Sequence, residues 1–230
     1  MLDDLRRDVL WANQEIASRG LARFTFGNAS AIDRARRLVV IKPSGVAYDL
    51  LDARDLCVTD LNGEVAEGSL RPSSDLPTHL ELYRAFPGIG GVVHTHSHFA
   101  TVWAQSGRSI PCMGTTHADY FRGAIPVTTA LGDAEVAGDY EAATGRAIAR
   151  CFAVIDPLQV PAVLVHGHAS FCWAPSVRAA VETASILEAV ASMAYRTLGV
   201  NPDVAPISDV LRDRHFLRKH GPGAYYGQPE

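Results

Sequence analysis

Two histidine pairs, His94-Thr95-His96 and His166-Gly167-His168, each close a short apolar run, Gly91-Val92-Val93 and Val163-Leu164-Val165. Side chains on a strand alternate between faces with a period of two, so each pair puts both imidazoles on one face at a strand end. If the two strands are neighbours, three or four imidazoles converge on one cavity. Neutral imidazole is the commonest protein ligand of zinc, and a catalytic zinc takes about three protein ligands and keeps a position open. Asp75, just ahead of Leu76-Pro77, is a candidate carboxylate for that shell and equally an ordinary helix cap.

Around these pairs the apolar pattern switches between the helical and strand periods. Leu5, Val9, Leu10, Asn13 and Ile16 predict a first helix, which Gly20 stops. Residues 24–26, 30–32 and 38–41 read as strands, with the polar run 33–37 as a turn. Residues 56–59 and 64–66 form a second hairpin around Asn62-Gly63. Pro77 suits the first turn of a helix reaching Phe86. Further helices are expected over 98–105, 135–152, 176–198 and 207–219, and short strands over 125–127, 163–165 and 169–172. Strict βαβ alternation is absent, which disfavours a doubly wound sheet and favours a mixed or antiparallel sheet flanked by helices. No repeat or long polar linker interrupts the chain, so residues 1–230 read as a single domain.

Composition narrows the function classes. The chain has 21 Lys and Arg against 25 Asp and Glu, with no basic stripe for nucleic acid and no polybasic cluster for anionic lipid. No apolar run approaches the roughly 18 residues of a membrane span. The opening Met1-Leu2-Asp3-Asp4 lacks the basic and apolar regions of a signal peptide, and the four cysteines show no CxxC spacing. These features predict a cytoplasmic protein with reduced thiols. Three segments have the small, flexible composition of anion loops, and equally of ordinary turns: Gly27-Asn28-Ala29-Ser30, Lys42-Pro43-Ser44-Gly45 and Pro72-Ser73-Ser74-Asp75. Ser73 and Ser74 precede an expected helix N-terminus, where N–H groups and the helix dipole favour an anion.

Taken together, the motifs resemble the class II aldolase/epimerase (aldolase II/adducin-type) family. The segments that carry the resemblance run from Trp11-Ala12-Asn13 and Phe26-Gly27-Asn28 through Ile41-Lys42-Pro43-Ser44-Gly45, Pro72-Ser73-Ser74-Asp75 and Pro77-Thr78-His79. They continue through the strand ending His94-Thr95-His96-Ser97, the stretch Gly114-Thr115-Thr116-His117-Ala118-Asp119-Tyr120-Phe121, and the tail Leu217–Gly221 and Ala224–Gln228. The last two are similar to the sugar-phosphate epimerases within that family. Residues His98, where arginine is usual, and Gly167, where serine is usual, depart from its pattern, and the segment 151–161 is slightly short.

The resemblance implies a three-layer α/β/α fold, with a mostly antiparallel or mixed central sheet covered by helices on both faces. It implies Zn²⁺ held by His94, His96 and His168 with Asp75 close by or ligating, in a site that Mn²⁺ or Co²⁺ also suits. It further implies sugar-phosphate contacts from Gly27, Asn28, Lys42, Ser44, Gly45, Ser73 and Ser74, with Thr115 and His215 lining the site. Asp119 and Tyr226 take acid/base roles, Tyr226 rather than Tyr225 because it stands against Gly227-Gln228. A homotetramer with sites at subunit boundaries is the expected assembly.

Epimerisation at C4 of a 2-ketopentose phosphate is the implied reaction. The C4 proton is not α to the ketone, so its removal has no enolate to stabilise the carbanion. Breaking and remaking the C3–C4 bond avoids the difficulty, with a Lewis acid at the developing charge and one acid/base group on each side of the aldehyde. A sugar-phosphate aldolase of the fuculose-phosphate type, or a non-catalytic adducin-like module, is the alternative outcome of the same resemblance.

Overall fold

The structure, a computed structural model, describes residues 2–227. Gln228, the last residue of the tail motif, and the extreme ends of the expected 1–230 domain lie outside the described residues. Seven strands form one sheet: β1 (Asn28–Asp33), β2 (Leu38–Ile41), β3 (Cys57–Asp60), β4 (Val65–Glu67), β5 (Gly91–Thr95), β6 (Ala162–Leu164) and β7 (Ser170–Ala174). Their order is β4-β3-β2-β1-β5-β7-β6, and every neighbouring pair is antiparallel. The two histidine-bearing strands are therefore not neighbours, because β7 lies between β5 and β6.

The helices are α1 (Leu2–Ser18), α2 (Leu76–Ala85), α3 (His98–Ser106), α4 (Thr115–Ala118), α5 (Asp133–Ala137), α6 (Tyr140–Cys151), α7 (Val177–Val200) and α8 (Asp209–His220). Strand alternation sorts them into layers. A Cβ added at Gly91 would sit 2.3 Å from the Val177 Cα, so that position of β5 faces α7. Val92 and His94 face the other way, opposite Trp173 and Phe171 of β7. Trp173 packs on Phe86 and Phe152, and Phe171 on His79, so α2 and the end of α6 cover this second face. Ser30 of β1 obeys the same alternation and reaches His79 and Tyr83 of α2. β5 and β7 are buried at every position and β2 at all but its first, so the centre of the sheet is covered on both faces. Full burial of a ring such as Phe171 contributes roughly 2–3 kcal/mol. The helix-covered antiparallel sheet matches the expected fold class.

Three local expectations are corrected. Residues 24–26 are a turn rather than a strand, since Phe24 has φ +55° and Gly27 φ +85°, left-handed values that no strand tolerates. The expected helix over 135–152 is two helices, because Gly138 and Asp139 both leave helical geometry between α5 and α6. Residues 125–127 make only isolated bridges, Ile125 to Ile110 and Val127 to Leu164. No helix among the described residues is long and apolar enough to cross a membrane.

Candidate active site

The antiparallel order brings the start of β1, the ends of β2 and β5, and the start of β7 to one side of the sheet. Register places Asn28 across from His94, and His94 across from Phe171. The loops beyond these strand ends enclose a cavity of about 330 Å³. His94, His96 and His168 line it with Asp75, Gly27, Asn28, Lys42, Ser44, Gly45, Ser73 and Ser74. Every expected metal and phosphate contact is therefore in one place. Thr25, Phe26 and Pro43 also line it; Phe26 and Pro43 stand within the motifs that carry the resemblance but have no role implied by it, and Thr25 stands in none of them. A larger groove between α3 and α7, lined by Trp103 and Tyr195, offers neither carboxylate nor imidazole.

One ligand atom from each of His94, His96 and His168 lies within 4.8 Å of the others. The His94 Nδ1 lies 2.9 Å from the Ser170 carbonyl, which can only accept. Nδ1 therefore carries the proton, and Nε2 keeps its lone pair for a metal. The His94 ring is stacked between His168, at 5.1 Å, and Phe171, at 4.2 Å. Burial lowers the pKa of all three imidazoles, that of His168 to about 4, so they are neutral near pH 7. A convergent trio of neutral imidazoles with an anchored outer nitrogen fits a divalent ion. His166 does not join them. It sits on the β6–β7 turn, where Gly167 at φ +70° breaks the strand alternation, and its ring packs over Gly107.

Asp75 occupies the N-cap position of α2 without making a cap hydrogen bond. Its carboxylate instead accepts from Asn28 Nδ2 at 2.7 Å and stands 4.0 Å from His94 Nε2. Burial pushes its pKa up, but neighbouring His94 and His79 and the Asn28 bond together hold it below the ordinary value. At the end of the cavity lined by Lys42 and the serines, the Ser44 N–H donates to the Arg71 carbonyl and the Ser73 N–H to the Lys42 carbonyl. Those two backbone donors are thus occupied. Lys42 is almost wholly buried, and desolvation lowers its pKa.

The remaining expected residues form a second cluster. Asp119 ends α4, and Arg218 of α8 donates to both its oxygens at 2.9–3.1 Å. His215 Nδ1 lies 3.1 Å from the same carboxylate. Burial would raise the Asp119 pKa, but the bonds from Arg218 and His215 lower it overall. The Tyr226 ring lies under Arg218 and Lys219, at 5.0 and 4.3 Å. Thr115 opens α4, and its carbonyl accepts from the Asp119 N–H. None of these four residues lines the histidine cavity.

The profile of the class II aldolase and adducin N-terminal domain matches residues 7–195. The chain belongs to this family. Curated relatives named L-ribulose-5-phosphate 4-epimerase UlaF, from Salmonella paratyphi C (strain RKS4594) and Salmonella typhi, are each 52% identical over 99% of this chain and 100% of theirs. Among solved structures, an L-fuculose 1-phosphate aldolase superposes with a TM-score of 0.79 at 22% identity, covering 92% of this chain and 94% of that one. The L-fuculose 1-phosphate aldolase from Glaciozyma antarctica PI12 gives 0.75 at 17% identity, covering 93% and 80%. At these identities the superpositions establish the fold alone.

Proposed function

We propose that this chain is a sugar-phosphate 4-epimerase that interconverts L-ribulose 5-phosphate and D-xylulose 5-phosphate. The observation that carries the reading is the 52% identity to curated 4-epimerases across essentially the full length of both chains. The convergence of three imidazoles beside a lysine- and serine-lined end of the same cavity supports it.

In this reading residues 1–230 act as one cytoplasmic catalytic domain, and His94, His96 and His168 hold Zn²⁺, or Mn²⁺ or Co²⁺, with Asp75 beside them. The ion supplies Lewis acidity where negative charge develops as the C3–C4 bond breaks. Gly27, Asn28, Lys42, Ser44, Gly45, Ser73 and Ser74 bind the phosphate and keep the cleaved fragment from leaving. One of Asp119 and Tyr226 takes the C4 hydroxyl proton during cleavage. After the aldehyde turns over its other face, the second returns a proton to its oxygen as the bond re-forms. Thr115 and His215 line that side. Because all four stand outside the cavity of their own chain, the proposal includes a homotetramer in which a neighbouring copy presents them.

The test is incubation of the metal-loaded protein with L-ribulose 5-phosphate and an assay for D-xylulose 5-phosphate. Formation of the epimer is expected. Stoichiometric release of glycolaldehyde phosphate would favour an aldolase, and no reaction at all would favour an interaction module.

A further inference from the structure

Tyr48 belongs to no motif and does not line the histidine cavity, yet it joins the two halves of the cavity's anion end. It follows the Lys42–Gly45 turn and is 7% exposed. Its hydroxyl stands 2.9 Å from the Phe26 carbonyl and 2.8 Å from the Gly27 carbonyl. Both are acceptors, so its one proton is shared between them. Its ring lies 5.0 Å from the Lys42 ammonium, within cation–π range.

Each half needs such support. Lys42 is 1% exposed, and among the described residues its ammonium makes one long bond, 3.3 Å, to the Pro43 carbonyl. A buried charge with one weak partner is costly unless other groups compensate it. The Tyr48 face supplies part of that compensation, and an anion in the cavity would supply more. Gly27 has φ +85°, and a Cβ there would meet the His94 carbonyl oxygen at 2.5 Å. Its peptide is thus wedged between the Tyr48 hydroxyl and the strand end that carries His94.

We infer that Tyr48 is a positioning residue for phosphate recognition: its ring places the Lys42 ammonium, and its hydroxyl places the Phe26–Gly27 peptide. It acts without touching the ligand, and the cradle is assembled before the anion arrives. The inference rests on the reading of the Lys42 end as the phosphate end.

The experiment measures binding of inorganic phosphate to the metal-loaded protein, with steady-state kinetics alongside. Tyr48→Phe keeps the ring and loses the shared hydrogen bond. It should weaken phosphate binding and raise KM about five- to tenfold, with kcat and metal content nearly unchanged. Tyr48→Leu loses the ring as well and should weaken both further; if it does not fold, Tyr48→Phe decides alone. Lys42→Met is the reference variant. Unchanged phosphate affinity and KM in Tyr48→Phe, with binding lost in Lys42→Met, overturns the role of Tyr48 alone, as does a fall in kcat at unchanged KM. Phosphate that fails to bind the parent protein, or binds Lys42→Met equally well, overturns the phosphate reading and the Tyr48 inference with it.

Discussion

The histidine cavity is assembled from backbone held in a seven-stranded sheet, whereas the Asp119 cluster is assembled from one short helix, the last turns of α8 and the tail. In the first, His94 is fixed by a cross-strand carbonyl and two stacked rings, and Asn28 holds Asp75. In the second, the fixing groups are the charged side chains of Arg218 and Lys219, and Tyr226 is exposed. The difference matches the chemistry proposed for each. A metal and a phosphate require donors held in place before binding. Acid/base groups that must meet a substrate bound elsewhere belong on a surface that a second copy can present.

Substitutions can break this comparison most forcefully at the cavity. His96→Asn and His168→Ala should each lose most bound metal and nearly all turnover while keeping the fold, since neither ring is a large buried part of the core. Metal analysis beside circular dichroism checks this, and wild-type metal content in either variant would remove the triad from the account.

At the second cluster the expected effect is smaller and of another kind. Asp119→Asn and Tyr226→Phe should retain metal and phosphate binding while kcat falls by about 10²- to 10⁴-fold. The two losses should be unequal, because each group serves one stereochemical half-reaction. Equal losses accompanied by loss of metal would merge the two regions into one.

The smallest effect concerns what holds α4 in place. His117 Nε2 donates to the Gly123 carbonyl at 2.7 Å, and burial depresses its pKa to about 4. The folded state therefore keeps this ring neutral, whereas the unfolded chain protonates it near pH 6.5. Stability should be complete above about pH 6.5 and decline as the pH falls toward 4, by roughly 3 kcal/mol in total from this group. Denaturant unfolding across that range measures the decline, and His117→Phe should make it shallower by this group's share, the buried histidines of the cavity supplying the rest.

The sequence made much of the cavity legible for a physical reason. His94 and Asn28, and the loops bearing Lys42, Ser73 and Ser74, lie at strand or helix ends, where period and turn composition carry information. The symmetric reading of His166 with His168 failed because a hairpin turn obeys no period of two, and Gly167 redirects the chain there. Residues 24–26 misled in the same way: two exposed aromatics around a threonine look like a strand until the positive φ of Phe24 is known. Neither Tyr48 nor Phe171 carried a signal of function, since their contacts with Gly27 and His94 join segments far apart in the chain. The distance of Asp119 and Tyr226 from the histidine cavity within one chain carried no local signal, because a motif names residues and not how the fold places them; only the resemblance, which implies sites at subunit boundaries, pointed to it.

That separation is tested most directly by mixing two inactive variants. In the proposed site, His96→Asn would lose a metal ligand and keep Asp119, and Asp119→Asn would keep the three histidines and lose the acid/base group. Co-folded or exchanged into mixed assemblies, confirmed by native mass, the pair should regain epimerase activity from cavities in which an intact metal site meets an intact Asp119 of a neighbour. Mixed assemblies that form and stay as inactive as either variant alone would contradict a site shared between copies.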